Sequence, residues 1–277
     1  MIILGVDFTS RPTRTKPITI ARGRLSAAVL ELDVLHACES FDAFSAFLAA
    51  PGPWVGAFDF PFSLPRVLVR HLGWPDRWDA LIDFYASLSR AQIRETFKAF
   101  CDARPAGSKF AHRACDLPAR ASPSMKWVNP PVAWMLHAGA PLLKRAGVCM
   151  PVVRENGDSR IALEGYPGYL ARRLIGNVSY KSDDRRKQTM QRRAARRALV
   201  ARLEGAPLGI GAVPGPNLAL TSSLRRQCVA DASGDSLDAV LCAVAAAWGA
   251  GQARSGYGLP ATVDPLEGWI VGVPPPD

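Results

Sequence analysis

The chain has 277 residues, 48% of them hydrophobic and 21% charged. That balance excludes intrinsic disorder and allows one large domain or a domain carrying an insertion. No apolar run approaches the ~20 residues of a membrane span, and the N-terminal run lacks the basic flank of a signal peptide, so a cytoplasmic protein without membrane contact is expected. The net charge of +10 and pI of about 9.7 point to a polyanionic partner, nucleic acid before others. The six cysteines form no CxxC pair and have no zinc-like spacing to a histidine, which favours free thiols.

Ile2 to Phe8 is a short β-branched apolar run and reads as a strand buried on both faces. A polar turn from Thr9 to Pro17 follows, then a predicted hairpin of Ile18 to Leu25 and Ala28 to Ala37. Phe41, Phe44, Phe47 and Leu48 recur at helical spacing within Ser40 to Ala50, and Pro51-Gly52-Pro53 ends that helix. Trp54 to Phe60 is the next strand. Residues 64–151 change character: helical periodicity from Arg77 to Phe100, a basic Pro-containing stretch, and a further helix from Pro131 to Leu143. Strand character returns at Ile161 to Glu164. A long basic helix is predicted from Asp183 to Leu203, a Gly/Pro-rich link from Gly205 to Pro216, and a helix near Leu218 to Ala230. The last helix, Asp235 to Trp248, is apolar almost all round and should be buried. The Pro274-Pro275-Pro276 tail reads as frayed.

Acids stand at the ends of these buried elements. Asp7 ends the first strand, Asp59 the fourth, Glu164 the fifth, and Asp235 and Asp238 open the last helix. A buried carboxylate is costly unless it is paired, hydrogen-bonded or metal-bound. Residues three apart share a helix face, and strand-end acids converge where parallel neighbours end on one side. Hard Mg²⁺ or Mn²⁺ takes such oxygen ligands, and two ions about 4 Å apart promote phosphodiester hydrolysis. The competing readings are local: turn bonds for Asp7 and Asp59, an arginine such as Arg172 or Arg173 for Glu164, and helix capping or dipole effects for Asp235 and Asp238.

The motifs GVDFTSRPTRTKPITIA, GAFDFPFSLPR, PPVAWMLHAGAPLL, EGYPGYLARRL with the downstream SYKSDD, and DSLDAVLCAVAAAW resemble domain of unknown function 429. That resemblance implies a nuclease on an RNase H-like fold, an α/β architecture with a five-stranded mixed sheet flanked by helices. Residues 1–63 and 152–277 would form the two parts of the core, with a largely helical insertion at 64–151. It implies a catalytic set of Asp7, Asp59, Asp235 and Asp238, with Glu164 ranked below them, and Mg²⁺ or Mn²⁺ held by Asp7, Asp59 and Asp238. The first-strand Asp with a DxxD on the last helix is similar to the resolvase-type branch, from which Asp59 departs by standing where Glu is common.

Lys181, Arg185, Arg186, Arg192, Arg193, Arg196 and Arg197 form a dense basic segment. As one helix it would present arginines on one side and Met190, Ala194, Ala198 and Ala201 on the other. Phosphate tracking along DNA or RNA suits that face. Lys109 and Arg113 add a second basic cluster in the insertion. Two other functions compete with a nuclease. One is a non-catalytic nucleic-acid-binding protein. The other is a phosphotransferase of the actin and sugar-kinase kind, against which Phe8 stands where a phosphate-holding loop needs glycine.

Overall fold

Alternation along the first strand, β1 (Ile2–Asp7), divides the molecule into two layers. Leu4 and Val6 face one layer, and Ile3, Gly5 and Asp7 face the other, because strand side chains alternate with a period of two. The computed structural model describes residues 1–206, 209 and 213–275.

Six strands form one mixed sheet. The hairpin β2 (Ile18–Ser26) and β3 (Val29–Cys38) continues antiparallel from β1. β4 (Trp54–Phe58) and β5 (Arg160–Glu164) extend the other side in parallel. A sixth strand, β6 (Asn217–Leu220), pairs parallel to β3, giving the order β5-β4-β1-β2-β3-β6. This strand corrects the expectation of five strands and of helix from Leu218. Its burial alternates, with Leu218 and Leu220 inward, while the helix starts only after Thr221 caps it.

One sheet face carries α1 (Phe41–Leu48) and the segment between β4 and β5. Of that segment, α2 (Arg66–His71), α3 (Trp78–Ser87), α4 (Arg90–Asp102) and α6 (Val132–Ala146) pack on this face, whereas the single turn α5 (Asp116–Ala119) joins the core of the opposite face through Ala119. Phe97, Leu136 and Tyr85 share a core with Phe44 and Phe58, so this layer is continuous with the sheet. The helical periodicity from Arg77 to Phe100 is carried by two helices, because Ser89 and Gln92 form a reciprocal capping box that starts a new one.

The opposite face carries α7 (Pro167–Ile175), α8 (Met190–Gly205), α9 (Ser222–Ala230) and α10 (Asp235–Gly251). α10 lies across β1, β2 and β4 and is buried almost throughout. Gly5 permits that approach: a Cβ there would stand 2.0 Å from the Ala239 carbonyl oxygen and 2.1 Å from the Ala243 nitrogen. The strand and the helix backbone therefore meet without a side chain between them.

The basic segment is also divided. Arg185–Lys187 is a separate 3₁₀ turn, and α8 begins after Thr189, whose hydroxyl accepts from the Arg192 N–H. Its buried stripe is Ala195, Arg196, Leu199, Val200 and Leu203, whereas Met190 is 73% exposed. The alanines expected to face inward are outside, because the larger apolar area of Leu199, Val200 and Leu203 decides the buried side.

All six cysteines are free and buried. Among the described residues no helix is long and apolar enough to cross a membrane. The expected Gly205 to Pro216 link and the Pro274 to Pro276 tail lie partly outside the described residues.

Candidate metal centre

Three of the expected acids come together. β1 and β4 run parallel, and pairing extends one step past β4, where the Asp59 N–H donates to the Val6 carbonyl at 2.9 Å. Asp7 and Asp59 thus follow the face of Ile3 and Val55, toward α10. Asp238 sits on the first turn of α10, directly against β1. One carboxylate oxygen from each of Asp7, Asp59 and Asp238 lies within 4.8 Å of the others. Asp7 and Asp238 are buried and Asp59 is half-buried.

The start of α10 is built to hold this position. Gly234 adopts φ +84°, a left-handed conformation that glycine takes readily. The Asp231 carboxylate accepts from the backbone N–H of Ser236 at 2.8 Å and of Ser233 at 3.1 Å. Capping by Asp231 leaves Asp235 and Asp238 free for other partners.

Two lysines and a tyrosine reach the same acids. The Tyr180 hydroxyl donates to Asp238 Oδ1 at 2.5 Å, and the Lys181 ammonium binds Asp238 Oδ2. Lys16 bridges Asp235 Oδ1 at 2.7 Å and Asp183 Oδ1 at 2.8 Å. Asp235 therefore stands beside the triad and is held by Lys16, outside the three-carboxylate group.

The electrostatics record the crowding. Burial, then Asp238, push Asp7 well above the ordinary carboxylate range. Burial raises Asp59 to about 7, with Asp238 and Glu164 adding to it against the opposing Lys181. Asp238 is raised by burial despite Lys181 and Tyr180. Burial alone would lower Lys181, but Asp238 and its neighbours outweigh that and hold the ammonium charged. Three oxygen donors at this spacing, incompletely neutralised, match what a hard divalent cation binds.

Glu164 is brought to the same cleft but turns away from the triad. In the parallel register it pairs with Phe58, which puts it on the face of the insertion. There Arg113 grips it, with Nη2 to Oε1 at 2.6 Å and Nη1 to Oε2 at 2.7 Å. The Phe62 N–H adds a third bond to Oε2 at 2.9 Å. The partner of Glu164 is thus Arg113, and neither Arg172 nor Arg173.

Arg113 is itself a correction. It was expected to contact nucleic acid, but it is 2% exposed. Its guanidinium also binds Asp116 Oδ1 at 3.0 Å and 3.2 Å and the Glu267 carbonyl at 3.2 Å. Burial alone would depress its pKa, yet Asp116 and Glu164 raise it and keep it charged.

Arg196 is the second correction. It lies on the buried stripe of α8, where Nη1 donates to the Tyr180 carbonyl at 2.8 Å and Nε to the Val229 carbonyl at 3.0 Å. It fixes the segment that carries Tyr180 and Lys181 instead of facing solvent. Lys109, Arg185, Arg186, Arg193 and Arg197 are exposed, and Arg192 is half-buried, with Nε 3.2 Å from the Ser179 hydroxyl. Lys181, expected on the nucleic-acid face, is at the acids.

The cleft beside Asp7 and Asp59 encloses about 560 Å³, with Asp238 buried behind them. Asp7, Asp59, Lys16 and Lys181 line one side, and Pro130, Pro131, Val132 and Met135 of the insertion line another. Sequence reasoning missed Tyr180, Lys16 and Asp231 as contributors. Tyr180 and Lys16 lie inside the motifs quoted above, but no spacing rule ties them to Asp238 or Asp235.

A sheet with a carboxylate triad between its central strands and a buried helix defines a mixed α/β protein with a candidate cation centre. The chain belongs to the family described as protein of unknown function DUF429, whose model matches residues 5–262. No curated protein and no solved structure matches the chain.

Proposed function

We propose that this protein is a metal-dependent nuclease with an RNase H-like core. The observation that carries the reading is the approach of Asp7, Asp59 and Asp238 to within 4.8 Å. The central β1, the antiparallel hairpin on one side and parallel β4 and β5 on the other support the fold assignment, with β6 as an added edge. The basic balance of the chain supports a polyanionic substrate.

Asp7, Asp59 and Asp238 would hold Mg²⁺ or Mn²⁺. A cation of this kind supplies Lewis-acid activation of water and charge compensation at the leaving oxygen. Lys16 and Lys181 face the same cleft and offer ammonium donors to phosphate oxygens. The net reaction adds water across one P–O bond. The water oxygen bonds to phosphorus, the bond to the sugar oxygen breaks, and that oxygen keeps the electron pair and takes up a proton.

The test pairs binding with turnover. Calorimetry should detect Mn²⁺ uptake by the wild type and its loss in Asp7→Asn. DNA and RNA substrates of single-stranded, duplex and branched form should be cleaved only with metal and only by the wild type. Absence of Mn²⁺ uptake would sink the reading. The Lys181–Asp238 and Lys16–Asp235 pairs favour a second reading, a non-catalytic nucleic-acid-binding protein whose acids are neutralised internally. It predicts nucleic-acid binding that a chelator leaves unchanged and no metal uptake.

A further inference from the structure

A second concavity lies away from the triad, between α8 and α9, and encloses about 610 Å³. Arg193 and Arg197 line it from α8, one turn apart, and Arg225 and Arg226 line it from α9. Val200 and Val229 form part of an aliphatic floor.

The four arginines are not equivalent. Arg225 is committed to Glu204, with Nε to Oε2 at 2.8 Å and Nη2 to Oε1 at 2.7 Å. Arg193, Arg197 and Arg226 are exposed, and none of them has a carboxylate partner among the described residues. Three unneutralised guanidinium groups thus converge on one groove from two helices. Their planar forks suit phosphate oxygens.

We propose that this groove binds a single nucleic-acid strand through its phosphates. The inference rests on the nuclease reading for the identity of the partner and adds where that partner lies. The volume is that of a small-molecule site, which accommodates about one or two nucleotide units and no duplex. No aromatic ring lines the groove among the described residues, so base stacking contributes nothing and sequence preference is absent. Affinity there is therefore electrostatic and steeply salt-dependent.

The groove is tied to the acid cleft. Arg196 donates both to the Val229 carbonyl, in the groove, and to the Tyr180 carbonyl, whose residue reaches Asp238. One buried guanidinium fixes the two sites relative to each other, so a strand held in the groove has a set relation to the carboxylates.

The experiment uses the full chain in a chelator, so that cleavage plays no part. Binding of a fluorescent single-stranded oligonucleotide is measured by anisotropy from low to moderate salt. The triple variant R193Q/R197Q/R226Q should bind on the order of tenfold more weakly. Its log–log salt slope should be smaller by about 2, near 0.7 for each of three phosphates. Glu204→Gln releases Arg225 into the groove and should tighten binding, a gain that a merely structural role would not give. Circular dichroism should show the triple variant folded, since the three arginines changed are exposed. An unchanged slope in the triple variant, with the wild type binding normally, would overturn the groove while leaving the nuclease reading intact. A wild type that binds no oligonucleotide at low salt would overturn both.

Discussion

Two buried acid clusters face one cleft and are built on opposite logic. Around Glu164 and Asp116, a single arginine supplies the counter-charge in a fixed fork, and backbone N–H groups of Phe62 and Arg113 complete the set. Around Asp7, Asp59 and Asp238, the carboxylates crowd one another, and the compensating charge comes from a flexible lysine reaching in from the rim. Burial is common to both clusters. What separates them is whether the chain itself finishes the electrostatics. A buried acid marks a candidate binding centre when its neighbours are also acids, and a structural joint when an arginine is already locked onto it.

Breaking each cluster should give opposite signs. Arg113→Met strips the fork from Glu164 and Asp116 and leaves two buried carboxylates uncompensated. It should cost about 3–5 kcal/mol in urea unfolding, the range for removing one partner of a buried pair. An unfolding midpoint equal to wild type would show that the fork contributes nothing. Gly5→Ala comes next, because the added methyl meets the α10 backbone. Overpacking of this kind costs about 1–3 kcal/mol, and the same change should weaken Mn²⁺ uptake as Asp238 is pushed from Asp7.

The crowded acids also set a pH response. Asp59 titrates from 3.8 to about 7 on folding, and Asp7 and Asp238 are also raised. The folded state then holds more protons than the unfolded state across that window. Stability is full below the unfolded value and falls as pH rises toward 7. The metal-free protein should melt at higher temperature at pH 5 than at pH 7.5. Mn²⁺ should recover most of the difference, since a ligand of the native state stabilises it. The smallest effect is expected for Asp59→Asn in chelator at pH 7.5. Removing one crowded charge should raise the melting temperature by a few degrees, and a fall instead would place Asp59 among the satisfied acids.

Much of this geometry was legible in the chain. Val55, Ala57 and Asp59 alternate as Ile3, Gly5 and Asp7 do, so a parallel pairing puts both acids on one face. The same rule separates Glu164, because Ile161 and Leu163 share the α10 side while Ala162 and Glu164 face the insertion. The partner of Glu164 was not legible. Arg113 comes from a loop region whose path depends on tertiary packing, and a basic residue next to His112 reads as surface from composition alone. The burial of Arg196 is hidden for a related reason. Its guanidinium is satisfied by the carbonyls of Tyr180 and Val229, acceptors that every residue carries and no sequence pattern advertises. The inward face of α8 is marked in the chain by the bulk of Leu199, Val200 and Leu203, which outweighs the alanines.

The seat that Gly5 makes for α10 has a consequence in time. The triad draws its first two acids from the beginning of the chain and its third from near the end. During synthesis, Asp7 and Asp59 can be in place on their strands while α10 is still unmade, and the strip of β1 beside Gly5 stays open until that helix arrives. The centre is completed only when α10 emerges, after every strand of the sheet. A partly synthesised chain therefore carries the first two acids of the triad without the third, and assembly of the triad reports that β1, β4 and α10 have come together.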